Sequence, residues 1–189
     1  MELLKRYQAL KQCVVERKEQ FADLMDFVEN ETEYMLAPAS VRWHMNHERG
    51  LLEHSVNVAE TLLKIKAVLA PEISDESCVI VALLHDLGKA GMPGNPQYLP
   101  NEPDSRQKRY GSYIPQYRFN NDLTYLSVPI RSLYLILPFM DLSEEEVQAI
   151  AYHDGQYVED NRSSANHEVP LTLLLQYADN WCASVLEVE

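Results

Sequence analysis

The chain has few cysteines and no long uncharged run. Cys13, Cys78 and Cys182 are odd in number, widely spaced and form no C-x-x-C pair. That argues against a disulfide framework and against a thiolate zinc site, and it points to a reducing, cytoplasmic setting. No uncharged stretch approaches the roughly 20 residues needed to cross a bilayer. Glu2, Lys5 and Arg6 interrupt the N-terminus before an apolar run can build, contrary to a signal peptide. Cations are scarce too, with 16 Lys and Arg against 29 Asp and Glu and a formal net charge of −13. Such a field repels a polyanion, so long nucleic acid is not an expected partner. A chain of 189 residues is long enough for one sizeable core and short for two, so one domain over 1–189 is expected. No repeat or interdomain linker is visible.

Near the middle of the chain an apolar run from Cys78 to Leu84 ends in His85-Asp86, followed by Leu87-Gly88-Lys89. The run reads as a helix buried on all sides, with Ser74 as its cap and Asp75 and Glu76 suited to its positive end. Gly88 is placed to stop it. His-Asp at a helix end has two readings, a solvated terminus or a pair of metal ligands, since imidazole and carboxylate are ordinary donors to a divalent ion.

Two other positions bear on that choice. Leu51, Val58, Leu62, Ile65 and Leu69 share one helical stripe, and His54 sits within it. Near the C-terminus, Pro170 suits a first helical turn, and Leu171, Leu174, Leu175, Ala178, Cys182 and Leu186 mark a buried side that also carries Asp179. A histidine in such a stripe is commonly a hydrogen-bonded core residue. A carboxylate there needs a cation or several donors. One metal would satisfy His54, His85, Asp86 and Asp179 together.

Gly50-Leu51-Leu52-Glu53-His54-Ser55, His85-Asp86-Leu87-Gly88-Lys89 and Tyr177-Ala178-Asp179 resemble the ordered His…His-Asp…Asp signature of the HD-domain metal-dependent phosphohydrolase superfamily. Pro38-Ala39-Ser40 followed by His44, Arg131-Ser132-Leu133-Tyr134-Leu135 and Ala149-Ile150-Ala151-Tyr152-His153 resemble its bacterial and phage-type branch. The similarity runs from about Pro38 to Ala183. It implies an all-α fold, an HD-domain helical bundle holding one divalent ion on His54, His85, Asp86 and Asp179. Related two-metal sites carry further histidines between the His-Asp pair and the last Asp. Here His153 could fill one such role, and 126–132 supplies none, so a single ion is expected.

Around that bundle the chain reads as a helical extension over 1–36, an irregular insertion over 90–129, and helices near 51–69, 75–87, 130–141, 143–153 and 170–187. Leu3, Tyr7, Leu10, Val14, Phe21, Leu24 and Val28 follow helical spacing, with Arg17 interrupting the seam. This is one helix or two, packed on the core or, as a homo-oligomer contact, on a second copy. Ser143 and Glu146 have capping-box spacing. In the insertion, Arg106, Lys108, Arg109 and Arg118 lie among tyrosines in an acid-free stretch. That pattern suits a phosphate contact beside an aromatic platform, or else a surface loop packed on its own rings.

The expected activity is hydrolysis of a nucleotide-like phosphomonoester or phosphodiester through a metal-activated water. Asp86 and Lys89 are the candidate catalytic residues. Lys89 is either a phosphate contact or a lysine drawn to a helix end by the dipole. His44 and His153 are candidate substrate or supporting donors, or exposed histidines. The ligand set suits Mn²⁺, Fe²⁺, Co²⁺, Ni²⁺ or Mg²⁺. The expected partner is a small phosphorylated compound. The alternative is a non-catalytic HD module that binds a nucleotide and signals.

Overall fold

A computed structural model describes residues 2–102, 105, 109 and 114–188. The N-terminal seam forms two helices, α1 (Glu2–Lys11) and α2 (Lys18–Glu31). Tyr7, Leu10, Val14, Phe21, Leu24 and Val28 are all buried in the chain's own core. The seam is therefore covered from within rather than left for a second copy. The Tyr7 hydroxyl donates to Glu29 Oε1 at 2.8 Å and so ties α1 to α2.

The central helix α3 (Gly50–Leu69) packs on α1, on α4 (Asp75–Leu84) and on the C-terminal helix α7 (Pro170–Trp181). Leu51, Val58 and Leu62 are buried, whereas Leu69, expected on the same stripe, is exposed in the last turn before Ala70. Helix α4 starts as its sequence implies, with Ser77 N–H donating to Ser74 Oγ at 3.0 Å. Every residue from Cys78 to Leu84 is buried. Each large aliphatic side chain so buried contributes about 1.5–3 kcal/mol.

Two further helices close the bundle, α5 (Val128–Ile136) and α6 (Glu144–Ala151). The capping box at α6 is complete. Glu146 N–H donates to Ser143 Oγ at 3.2 Å, and Ser143 N–H to Glu146 Oε2 at 2.9 Å. The insertion departs from its irregular reading, because β1 (Tyr98–Pro100) and β2 (Tyr117–Phe119) pair antiparallel within it. Three-residue strands are too short to show period-two alternation in the sequence. Tyr98 faces Phe119 in this register, with ring centroids 5.5 Å apart. The pair leaves the fold class unchanged: the protein is all-α.

Gly88 has a different job from the expected helix stop. Helix α4 ends at Leu84, and Gly88 lies inside a 3-10 turn, Leu87–Ala90. A Cβ there would sit 2.3 Å from the Val128 carbonyl oxygen on α5. The close approach lets Gly88 N–H donate to Ser132 Oγ, which in turn donates to the His85 carbonyl, both at 2.8 Å. Arg131 Nη1 also donates to the Gly88 carbonyl at 3.3 Å, so Arg131 and Ser132 together latch α5 onto the His-Asp turn. Gly88→Ala is expected to destabilise the fold by about 1–3 kcal/mol through backbone overlap. A urea midpoint equal to that of the parent protein would show that α5 can move aside.

Candidate metal centre

His54, His85, Asp86 and Asp179 reach one volume from three helices. His54 lies early in α3, His85 caps the end of α4, Asp86 begins the 3-10 turn, and Asp179 projects from α7. His54, His85 and Asp86 are 1, 0 and 2% exposed. Asp179 Oδ1 is 3.1 Å from His54 Nε2, and Asp86 Oδ2 is 3.7 Å from the same nitrogen and 3.4 Å from His85 Nε2. His153, just past α6, is buried as well and brings its Nε2 to 3.5 Å from Asp86 Oδ1.

Two observations fit this set to a divalent ion. Buried His54 Nε2 and His85 Nε2 have no hydrogen-bond partner, although carboxylate oxygens stand beside them. Ligand atoms about 2.1 Å from a shared ion and at right angles to one another lie about 3 Å apart, close to the His54–Asp179 separation. With the histidines neutral, as ligation requires, Asp86, Asp179 and Glu187 gather here against one ammonium among the described residues, that of Lys89.

The nitrogens are oriented for ligation. A carbonyl oxygen can only accept, so His85 Nδ1–H donates to Ala82 O at 2.8 Å and His153 Nδ1–H to Ile150 O at 2.9 Å. That leaves Nε2 as the nitrogen each ring turns toward the Asp86 carboxylate. Burial alone would lower the pKa of His54, but the Asp179 and Glu187 carboxylates beside its two ring nitrogens outweigh it and push the ring up to about 9. Burial and Asp86 act in the same opposed way on His153, also raised to about 9. Asp86 is held well below the usual carboxylate range: burial opposes this, but Lys89 and His85 prevail.

The other candidates fall in different places. Lys89 Nζ lies 2.5 Å from Asp86 Oδ2, with its charged form favoured because Asp86 outweighs burial. His44 is half-buried, with Nε2 unpartnered and its ring centroid 5.0 Å from that of His54. Arg109 and Arg118 are exposed, and among the described residues no hydrogen bond or ion pair joins either to the cluster. Arg106 and Lys108 lie outside the described residues. A cleft of about 1160 Å³, lined in part by His153, Asp154, Tyr157, Gln176, Tyr177 and Asp179, opens onto the His153 side. Asp154 Oδ1 is 3.7 Å from His153 Nε2 at its edge.

Sequence reasoning missed Glu187. The expected inward residue of the last turn is Leu186, yet Leu186 is 56% exposed and Glu187 is 5% exposed. The cause is a π-helical turn, Cys182–Leu186, in which Glu187 N–H bonds the Cys182 carbonyl five residues back. The added residue rotates the stripe by one position. No α-helical periodicity shows that shift.

The chain is similar to known proteins in sequence. Over 125 residues the sequence is 31% identical to the dihydroneopterin 2',3'-cyclic phosphate phosphodiesterase of Methanocaldococcus jannaschii. That alignment covers 64% of this chain and 43% of the relative, so the chain spans under half of the relative's length. No solved structure matches the chain. Residues 51–183 match the family model described as HD domain, a span that runs from the start of α3 to the π turn and takes in His54, His85, Asp86, His153 and Asp179. With most of its length inside that match, the chain belongs to the HD domain family.

Proposed function

We propose that the protein is a divalent-metal-dependent phosphohydrolase acting on a phosphomonoester or phosphodiester of a small nucleotide-like compound. The observation that carries this reading is the convergence of His54, His85, Asp86 and Asp179, with unpartnered Nε2 atoms aimed at carboxylate oxygens. These four residues would hold one ion, and their mixed nitrogen and oxygen donors suit Mn²⁺, Fe²⁺, Co²⁺, Ni²⁺ or Mg²⁺. When bound, the ion supplies Lewis acidity, lowering the pKa of water and offsetting charge on the phosphoryl group.

The chain's own residues do the remaining work. Asp86 is held ionised by Lys89, which keeps the carboxylate ready as a ligand. The Lys89 ammonium adds positive charge beside the place where phosphoryl oxygens would gather. His153 faces both Asp86 and the large cleft, a position suited to donating a proton or a hydrogen bond to the substrate. Tyr157 and Tyr177 offer exposed rings along that cleft for a planar group. The substrate class draws support from the relative, whose name gives a cyclic phosphate of a pterin. Arg109 and Arg118, with Arg106 and Lys108, are proposed as outer contacts to phosphate rather than as parts of the centre.

The test is a panel of nucleoside cyclic and linear monophosphates with protein stripped of metal and reloaded with single ions. Hydrolysis should vanish on chelation and return with at least one of the five metals, while circular dichroism reports the fold throughout. Turnover that persists in folded, metal-free protein would overturn the metal-dependent reading. Metal-loaded protein that binds nucleotides and hydrolyses none would be a binding module instead.

A further inference from the structure

His54 differs from the other two histidines in how its far nitrogen is held. His85 and His153 stand at or just beyond helix ends, where the carbonyl three residues back is open to a side-chain donor. His54 sits in the second turn of a 20-residue helix, where neighbouring carbonyls are already used by the helix ladder. Its Nδ1–H therefore needs an acceptor from outside α3. Glu187 Oε2 supplies it at 2.9 Å, with the carboxylate 5% exposed.

That carboxylate is itself held. Asn57, three residues beyond His54 on the same helix, donates its side-chain amide to Glu187 Oε1 at 2.9 Å. Asn57 Oδ1 accepts from Arg6 Nη2 at 2.8 Å, and Arg6 also binds both oxygens of Glu60. The chain of bonds runs from α1 through Arg6, Asn57 and Glu187 to His54. Arg6 and Glu187 both lie outside residues 51–183, so neither belongs to the part of the chain matched by the family.

We propose that Glu187 is a positioning residue for the metal centre. It fixes His54 in the tautomer and ring orientation that present Nε2 toward Asp86 and Asp179, and Arg6 and Asn57 fix Glu187 in turn. The inference rests on the metal-binding reading given above. A carboxylate behind a ligating imidazole raises its basicity and prevents ring rotation, and removing one commonly costs 10–100-fold in metal affinity. The π turn then has a physical reason. An α-helical turn would aim Leu186 at His54 and leave Nδ1–H buried without an acceptor.

Titrating Mn²⁺ into metal-stripped protein by calorimetry tests this without any turnover. Glu187→Ala should weaken Mn²⁺ binding by about 10–100-fold. Glu187→Gln keeps an acceptor oxygen without the charge, and its affinity should fall between the two. Asn57→Ala should lower affinity less than Glu187→Ala, because the acceptor remains. Circular dichroism melts keep the comparison to folded protein, and if Glu187→Ala does not fold, the Gln and Asn57 variants carry the test. Folded variants that bind Mn²⁺ as tightly as the parent would overturn the positioning role alone. A parent protein that binds no divalent ion would overturn the metal-binding reading and this inference with it.

Discussion

Asp86→Asn is expected to remove divalent-metal binding and phosphoester hydrolysis together while the helical fold persists. Asp86 lies at the middle of the cluster, within 3.7 Å of His54 Nε2, 3.4 Å of His85 Nε2, 3.5 Å of His153 Nε2 and 2.5 Å of Lys89 Nζ. An amide of the same shape keeps the packing but loses the negative charge that a divalent ion needs. The loss should exceed the factor of about 100 that marks the upper range for residues behind the ligands. Asp86→Ala is a harsher change, because it also leaves the Lys89 ammonium without its partner, so that variant should lose stability as well as metal. Calorimetric Mn²⁺ binding and hydrolysis of a nucleoside cyclic phosphate measure the two losses separately. An asparagine variant that binds Mn²⁺ at parental affinity would take Asp86 out of the ligand set. One that binds normally but does not turn over would move Asp86 from ligation to catalysis.

The components of this centre were unequally legible in the sequence. His54 and Asp179 stood out because each interrupts an apolar stripe, and His85-Asp86 because it ends an apolar run. Such contradictions between pattern and residue type survive without any knowledge of tertiary structure. The depth of His153 was not visible. It follows a short amphipathic helix, and only the docking of α6 against α7 turns it inward. Glu187 was hidden for a stricter reason, since the π turn breaks the periodicity on which the reading of the C-terminal helix depends. The β1–β2 pair is not legible because strands of three residues are too short to show alternation. In the sequence, Arg17 is only an interruption of the N-terminal seam. Its partners lie 59 and 129 residues away, beyond the reach of any local rule.

Arg17 nonetheless carries the largest expected effect on stability. It sits between α1 and α2, where its Nε binds Glu76 Oε1 at 2.8 Å and its two terminal nitrogens bind Glu146 at 2.7 and 2.6 Å. Glu76 Oε2 also accepts from Val15 N–H and Glu16 N–H, each at 2.7 Å. One guanidinium thus joins the N-terminal helices to the first turns of both α4 and α6. Arg17→Ala leaves Glu146, 1% exposed, without its cation, and breaking such a pair costs about 3–5 kcal/mol. Because the arginine retains some solvent contact, about 3 kcal/mol is expected, a large share of the roughly 5–15 kcal/mol of a typical domain. The loss should depend on pH. Burial opposes ionisation of Glu76 and Glu146, but Arg17 and backbone N–H groups outweigh it and lower both pKa values. Their contribution is therefore full above the unfolded glutamate pKa of about 4.3 and is lost as pH falls through the lower folded values. In Arg17→Ala, Glu146 is buried without the guanidinium, so its folded pKa should rise above the unfolded value and the slope should reverse. Urea midpoints between pH 3 and 7 should then converge at the acidic end and separate toward neutrality. A gap between parent and variant that stays constant with pH would assign the role of Arg17 to packing of its aliphatic stem rather than to its charge.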